Sequence, residues 1–393
     1  MSAPISRRQW LVSTGLAAGS SVLLPNALPA LGAARALSEG GGSYGDALLQ
    51  LEADVTAARR AAGPIRLCYN ENPFGMSPKA KAAISAAWHE HAQYSVPSRR
   101  ALRETFAKHV GVDPSQVLVT QGSSEVLAVI ALAYGLHGAE MVSAWPTFED
   151  LPRYGDTINA TVHRVPLTAD LGHDFAAMDA RITNGVRLVY VCNPNNPTGN
   201  LAANGTLRDF VHSTSKRSMV VVDEAYHDFV DDPSYKTLID MVQQGENLIV
   251  SRTASKIHGL AGLRVGFAIA RPDIIARLSE FTTGSPNAFG LNAAIASLQD
   301  SEYQAFVRQR NREGRELLTS TLTKLGKRVV PSQANFVFFQ TGQPVERVQQ
   351  AMLTKGFLIG RAFPPYTEWA RVSIGTPEEM QRFTAALPEA LRV

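Results

Sequence analysis

Met219-Val220-Val221-Val222-Asp223-Glu224-Ala225-Tyr226 is an apolar run that ends in two carboxylates. A short run of this kind, bounded by polar residues, predicts a strand buried on both faces. The pattern recurs upstream at Val117–Thr120, Glu140–Ala144 and Arg187–Cys192. It recurs downstream at Leu248–Arg252 and Val265–Ala270. Helical stretches lie between these runs, Ser123–Leu136 and Leu207–Ser218 among them. Such alternation predicts an α/β fold with a mostly parallel sheet flanked by helices. Further on, Asn292–Leu325 has helical character, continuous or broken. It leads into Asn335–Phe339, Val345–Lys355, Phe357–Arg361, Ala370–Ile374 and Glu378–Leu391. That strand-helix-strand-strand-helix order predicts a smaller α+β domain. Near the start, Leu48, Leu51 and Val55 give residues 46–62 helical spacing.

The 393 residues are 45% hydrophobic and 19% charged, ample for a large core and unlike a disordered or collagen-like chain. The formal charge is +3, too weak a surplus to imply a nucleic-acid or membrane surface as partner. Residues 1–36 contain no acidic residue. They carry Arg7-Arg8, an apolar run from Leu11 to Leu24, and the small-residue pattern Ala34-Arg35-Ala36. A basic start, a mildly apolar middle and an A-x-A end predict an export signal, and the paired arginines the twin-arginine route. The run is shorter than the roughly 20 residues a membrane helix needs. The expectation is therefore a periplasmic protein with no stable membrane anchor; the alternative is an uncleaved N-terminal helix or a chance arginine pair. Without Arg7, Arg8 and Arg35 the formal balance falls from +3 to zero. The expected division is a signal over 1–36, an arm over 37–75, a large domain over 76–290 and a small domain over 291–393. Cys68 and Cys192 cannot form a disulfide framework; both lie in apolar stretches where buried thiols are expected, with a single bridge as the alternative.

In open α/β sheets, ligands collect at the carboxyl ends of strands. Gly122-Ser123-Ser124-Glu125 follows one strand and opens a helix, which suits a phosphate or a plain N-cap. Asn193-Pro194-Asn195-Asn196-Pro197-Thr198-Gly199 follows another; every residue in it favours turns. An acid that ends a buried strand, as Asp223 does, needs a charged or hydrogen-bonding partner. A structural salt bridge would serve as well as a ligand. Ser251-Arg252-Thr253-Ala254-Ser255-Lys256 ends a fourth strand, before Gly259-Leu260-Ala261-Gly262-Leu263-Arg264-Val265-Gly266. Lys256 belongs either to a solvated basic loop or to a buried turn. In the second case its amine is depressed in pKa and can form a Schiff base.

These segments, with Asn70-Glu71-Asn72-Pro73 and Arg371-Val372-Ser373-Ile374-Gly375-Thr376, carry a resemblance. In this order and spacing the chain resembles the fold-type I pyridoxal-phosphate aminotransferases of classes I and II, from about residue 65 onward. Within them it looks most like the histidinol-phosphate aminotransferase branch. The resemblance implies that Lys256 binds pyridoxal 5'-phosphate as a Schiff base and then acts as general base and acid. Asp223 would pair with the pyridine nitrogen, and Tyr226 and Asn196 with the ring hydroxyl. Phe148 would stack on the ring; its plainer reading is a core residue. Arg264, Thr253, Ser255, Ser123 and Ser124 would hold the phosphate, with Tyr94 reaching it from a second subunit of a homodimer. Arg371 would clamp the substrate carboxylate. Arg361 and Asn72 would also face the substrate, a surface ion pair being the alternative for Arg361. No metal ligand set is expected.

The implied reaction moves an amino group between an amino acid, or an amine like histidinol phosphate, and a 2-oxo acid. Two departures weigh against histidinol phosphate itself. Histidine biosynthesis is cytoplasmic, whereas this chain carries an export pattern. Residues 37–64 also lack the Tyr-x-Pro-Gly segment that in many such enzymes helps form the phosphorylated substrate's pocket. Racemases, decarboxylases and lyases share the scaffold and the lysine. A cofactor-binding regulator would carry a DNA-binding module where this chain carries its export pattern.

Overall fold

The computed structural model describes residues 43–61 and 63–392. The expected export signal over 1–36 lies outside them. The strands are β1 (Ile65–Leu67), β2 (Val117–Thr120), β3 (Glu140–Trp145), β4 (Thr161–Pro166), β5 (Val186–Cys192), β6 (Met219–Asp223), β7 (Leu248–Thr253), β8 (Gly266–Ile269), β9 (Phe336–Gln340), β10 (Phe357–Ile359) and β11 (Trp369–Ser373).

Seven strands form the central sheet in the order β2-β8-β7-β6-β5-β3-β4. From β7 to β4 the neighbours are parallel, and β8 runs antiparallel to both β2 and β7. The sheet is thus mostly parallel, as expected, with one reversed strand. The edge strand β4 was not anticipated. Its sequence Thr161-Val162-His163-Arg164-Val165-Pro166 is polar because only Val165 is fully buried. Polar residues on an edge strand also discourage further pairing.

The centre of the sheet is dry. Val220, Val221 and Val222 are completely buried, and each contributes about 1.5–3 kcal/mol of burial free energy. Adjacent registers align Cys192 with Asp223 and Asp223 with Ser251. The carboxyl ends of β5, β6 and β7 therefore deliver their loops side by side.

A second core gathers Ile65, Leu67, Leu318, Val337, Phe357, Val372 and Phe383. Here β9 pairs antiparallel with β11, and β1 pairs parallel with β10. The strand that opens this region in sequence thus sits among C-terminal elements, and the chain leaves it toward the end of β6. The long helical stretch is broken in two, Ala288–Leu298 and Ser301–Lys324. Asp300 makes the break by capping the second helix through the Tyr303 backbone N–H.

Two glycines let β8 approach the loop after β2. A Cβ on Gly266 would lie 2.3 Å from the Gly122 carbonyl carbon and 2.3 Å from the Ser123 nitrogen. A Cβ on Gly122 would lie 2.2 Å from the Arg264 guanidinium. The neighbours of Gly266 are backbone and cannot swing aside. Gly266→Ala is expected to destabilise the protein by about 1–3 kcal/mol in urea unfolding. An unchanged midpoint would show that the loop yields without cost.

Candidate active site

The loops after β5, β6 and β7 meet the N-terminus of the helix Ser123–Gly135 around a cavity of about 270 Å³. Its walls carry Ser123, Ser124, Phe148, Asn196, Asp223, Tyr226, Thr253, Ser255, Lys256, Arg264 and Arg371. Residues spread over about 250 positions of sequence are brought together there.

Asp223 is 1% exposed. Its Oδ2 accepts a hydrogen bond from Tyr190 Oη at 3.1 Å, and its Oδ1 has no partner. Burial pushes the carboxyl pKa up, to about 6, and the Tyr190 bond opposes that rise. The other carboxylate of the run has the structural role. Glu224 Oε2 accepts from Arg252 Nε at 2.8 Å and from Thr237 Oγ1 at 2.8 Å, while Oε1 accepts from Leu238 N at 2.9 Å. Burial would raise its pKa, but the Arg252 charge, His227 and the bonds from Leu238 N and Thr237 together outweigh it and hold the carboxyl below the usual carboxylate range. Of the two readings of an acid at a strand end, each applies to one residue.

The turn after β5 divides in the same way. Asn193 Oδ1 accepts from Ala202 N at 2.9 Å, and Asn195 Oδ1 accepts from Thr147 Oγ1 at 2.8 Å, so both hold the turn. Asn196 faces the cavity instead. Its Nδ2 donates to Tyr226 Oη at 3.2 Å, and its Oδ1 accepts from Arg371 Nη1 at 2.6 Å. Arg371 Nη2 donates to the Cys68 carbonyl at 2.7 Å, and its Nε has no partner. Burial pushes the guanidinium pKa down, to about 10.

Lys256 is half-buried, and its Nζ donates to the Tyr69 carbonyl at 3.3 Å. Burial first, and then the Arg371 charge, push its pKa down, to about 8. The lysine therefore belongs to a buried turn, not a solvated loop.

At the far side of the cavity Arg264 Nη1 donates to the Ala261 carbonyl at 2.9 Å and to Ser255 Oγ at 3.4 Å. The adjacent helix begins at Gly122, which offers no side-chain cap. A guanidinium, an uncapped helix start and the hydroxyls of Thr253, Ser255 and Ser123 suit a phosphate. The Ser124 hydroxyl donates to Asp150 Oδ2 at 2.8 Å and is engaged there. Phe148 packs against the core and also lines the cavity.

Three expected residues are not brought to this cavity. Asn72 is the clear correction. Its Nδ2 donates to the Ile257 carbonyl at 2.8 Å and to Tyr303 Oη at 3.1 Å, and its Oδ1 accepts from Phe74 N at 3.0 Å. Asn70 takes the inward place, donating from Nδ2 to Tyr226 Oη at 3.0 Å. A φ of 56°, which asparagine tolerates, turns it there. Arg361 forms the surface ion pair, with Glu149 at 2.6 Å. Tyr94 is 97% exposed and lies off the cavity of its own chain. Both cysteines are free thiols. Tyr69, Asn70 and Tyr190 were not anticipated. For Tyr190 the available signal was strand alternation, which puts it on the same face as Cys192.

Residues 62–387 match the family described as aminotransferase class I and II. The histidinol-phosphate aminotransferase of Brevibacillus brevis is 39% identical over 333 residues, 83% of this chain and 90% of that protein. The aromatic amino acid aminotransferase of Cutibacterium acnes is 36% identical over 341 residues, 85% of this chain and 95% of its own. A solved histidinol-phosphate aminotransferase from Sinorhizobium meliloti, in complex with pyridoxal-5'-phosphate, shares the fold at a TM-score of 0.79. That structure is 23% identical and covers 95% of this chain and 99% of its own. The cavity fits the same cofactor, because a buried carboxylate oxygen without a partner shares its walls with a guanidinium, hydroxyls and a helix start that suit a phosphate. Fold and site together define a pyridoxal-phosphate-dependent enzyme. The chain belongs to the class I and II aminotransferases and is an aminotransferase.

The Arg252–Glu224 pair, at 2.7 Å, ties the carboxyl ends of β6 and β7 together. Arg252→Met would leave Glu224 buried without its countercharge. The expected loss is about 3–5 kcal/mol in urea unfolding, with part of it recovered when Glu224→Gln is added. Additive losses would show that the two side chains do not act as a pair.

Proposed function

We propose that the protein moves the amino group of an α-amino acid to a 2-oxo acid, with Arg371 holding the carboxylate of each. The observation that carries this reading is the buried Arg371 guanidinium at the cavity wall, whose Nε lacks a partner. A buried planar fork with a free donor suits a carboxylate.

When bound, the cofactor supplies an aldehyde that takes up the amine and a ring that withdraws electrons from the substrate α-carbon. The chain supplies the rest. Arg264, Ser255 and the helix start at Ser123 hold the phosphate. Asp223, whose Oδ1 has no partner, would hold the ring nitrogen in its protonated form. Tyr226 Oη, fixed by Asn70 and Asn196, stands at the ring hydroxyl. Lys256 Nζ holds the cofactor covalently at rest and, once displaced, moves a proton at the substrate α-carbon. Only its neutral amine can do either, and a pKa of about 8 keeps a usable neutral fraction.

The reading includes a homodimer. Tyr94, Trp88 and Val96 are 97%, 65% and 61% exposed, and a second copy would cover them. Sedimentation as a monomer at micromolar concentration would oppose it. It also includes loading with cofactor in the cytoplasm, followed by twin-arginine export. Cofactor-free mature protein recovered outside the inner membrane would oppose that. The names of the relatives favour histidinol phosphate as a second donor. A half-reaction panel decides between the donors. Holoenzyme is mixed with single L- and D-amino acids or histidinol phosphate, and loss of the visible band is followed. At least one α-amino acid is expected to bleach it, and Arg371→Ala to weaken that response about 100-fold or more. Bleaching by histidinol phosphate alone would reject the amino acid reading.

The depressed lysine gives a pH prediction. With a pKa of about 8, about one Lys256 in ten is neutral at pH 7, against fewer than about one in a thousand for an ordinary lysine. The rate at which apoprotein captures cofactor is therefore expected to rise about tenfold per pH unit below 8 and to level off above it. A rate still climbing at pH 10 would contradict the assignment.

A further inference from the structure

We propose that Tyr190 is a positioning residue that keeps Asp223 ionised and leaves one of its oxygens for the ring nitrogen of the cofactor. The proposal rests on the role given to Asp223 above. Tyr190 lies on β5 and Asp223 on β6, neighbouring parallel strands that align Tyr190 with Val221. Residues 221 and 223 face the same side, so the phenol lies beside the carboxylate and reaches Oδ2 at 3.1 Å. Both side chains are sealed, at 2% and 1% exposure.

The other groups around Asp223 do not replace this bond. Cys192 on β5 directs its Sγ to the Pro194 carbonyl at 3.4 Å. The Ser251 hydroxyl on β7 and the Ala225 N–H also favour the anion, each less than Tyr190 does, and the Ser251 hydroxyl makes no hydrogen bond. Tyr226 is engaged with Asn70 and Asn196. Asp150 adds only a distant negative charge, and Lys256 a positive one across the cavity. Tyr190 thus makes the largest contribution that opposes the burial of this carboxylate. Burial pushes the phenol's own pKa well up, so its proton stays on oxygen and donates. A single donor proton on Oδ2 also fixes which oxygen remains free. Removing it costs Asp223 twice, since the anion loses its donor and the carboxylate is released to rotate.

Tyr190→Phe deletes one oxygen and keeps the ring, so core volume is preserved. The holoenzyme variant is compared with wild type and with Asp223→Asn in three measurements. These are the pH profile of kcat/KM, the pH titration of the bound cofactor's visible band, and the melting temperature. For Tyr190→Phe, kcat is expected to fall about tenfold at pH 7 with KM within about twofold. The acid limb of the profile is expected to move up by about one pH unit. The visible band's midpoint should also move up, because a ring nitrogen without its proton leaves the neighbouring site more basic. An unchanged limb and midpoint would overturn the proposal, whatever the melting temperature, and would leave Tyr190 as core filling. If Asp223→Asn is severely impaired while Tyr190→Phe is silent, only the role of Tyr190 falls. If Asp223→Asn retains wild-type kcat, the role of Asp223 falls and this proposal with it.

Discussion

A carboxylate at the sealed end of a buried strand is the constraint on which the site depends. Asp223 is unfavourable where it stands unless something cationic comes to it, because an isolated buried anion is far costlier than a hydrogen-bonded one. The protein supplies one neutral donor, Tyr190, and leaves Oδ1 open. That incomplete satisfaction selects the ligand. On the proposed reading, a ring nitrogen that becomes positive on protonation would complete the pair, whereas water or a neutral amide would complete it less well. Glu224, one residue on, shows the contrast. It is fully partnered by Arg252, Thr237 and the Leu238 N–H, and has nothing left to offer a ligand.

The substrate side of the cavity is built across the two cores by one chain of hydrogen bonds. Ser373 on β11 donates from Oγ to Asn70 Oδ1 at 2.9 Å and accepts from the Asn70 N–H at 2.8 Å. Asn335 Nδ2 donates to the Asn70 carbonyl at 3.0 Å. Asn70 then reaches Tyr226 in the loop after β6, and Arg371 on β11 reaches Asn196. Every link is buried, so each carries the cost of an unmet polar group if the two cores separate. Placing β1 beside β10 brings Asn70 into this chain, although it is far from Arg371 in sequence.

What could be read from sequence follows the same physics. The central strands were legible because burial on both faces forces an unbroken apolar run, as in Met219–Asp223. Strand β4 was not, because an edge strand needs no such run. Asp223 stood out as a charge that ends an apolar run and Lys256 as a lysine in the turn after one, whereas Arg371 was marked only by the family resemblance. Asn70 and Asn72 could not be told apart, since which one turns inward depends on a left-handed backbone at residue 70. Tyr190 was hidden for the opposite reason. A tyrosine inside a buried strand looks like core, and only the neighbouring strand shows where its hydroxyl points. Tyr94 illustrates a different limit, since one chain alone leaves that side chain in solvent.

The charges lining the cavity are unbalanced, and the imbalance has a direction. Lys256, Arg264 and Arg371 oppose Asp223 alone. After burial, Arg371 and, less strongly, Arg264 push the pKa of Lys256 down, while Glu71 and Asp223 oppose them. A phosphate set against Arg264 removes part of that repulsion permanently. A carboxylate set against Arg371 removes the larger charge term only while substrate is bound. The lysine is therefore most willing to be neutral when the carboxylate site is empty, which favours covalent attachment. It gains proton affinity when the carboxylate arrives, which is when a proton must be taken from the α-carbon. On the proposed reading, one arginine would thus select the substrate by its charge and raise the basicity of the lysine when substrate is in place.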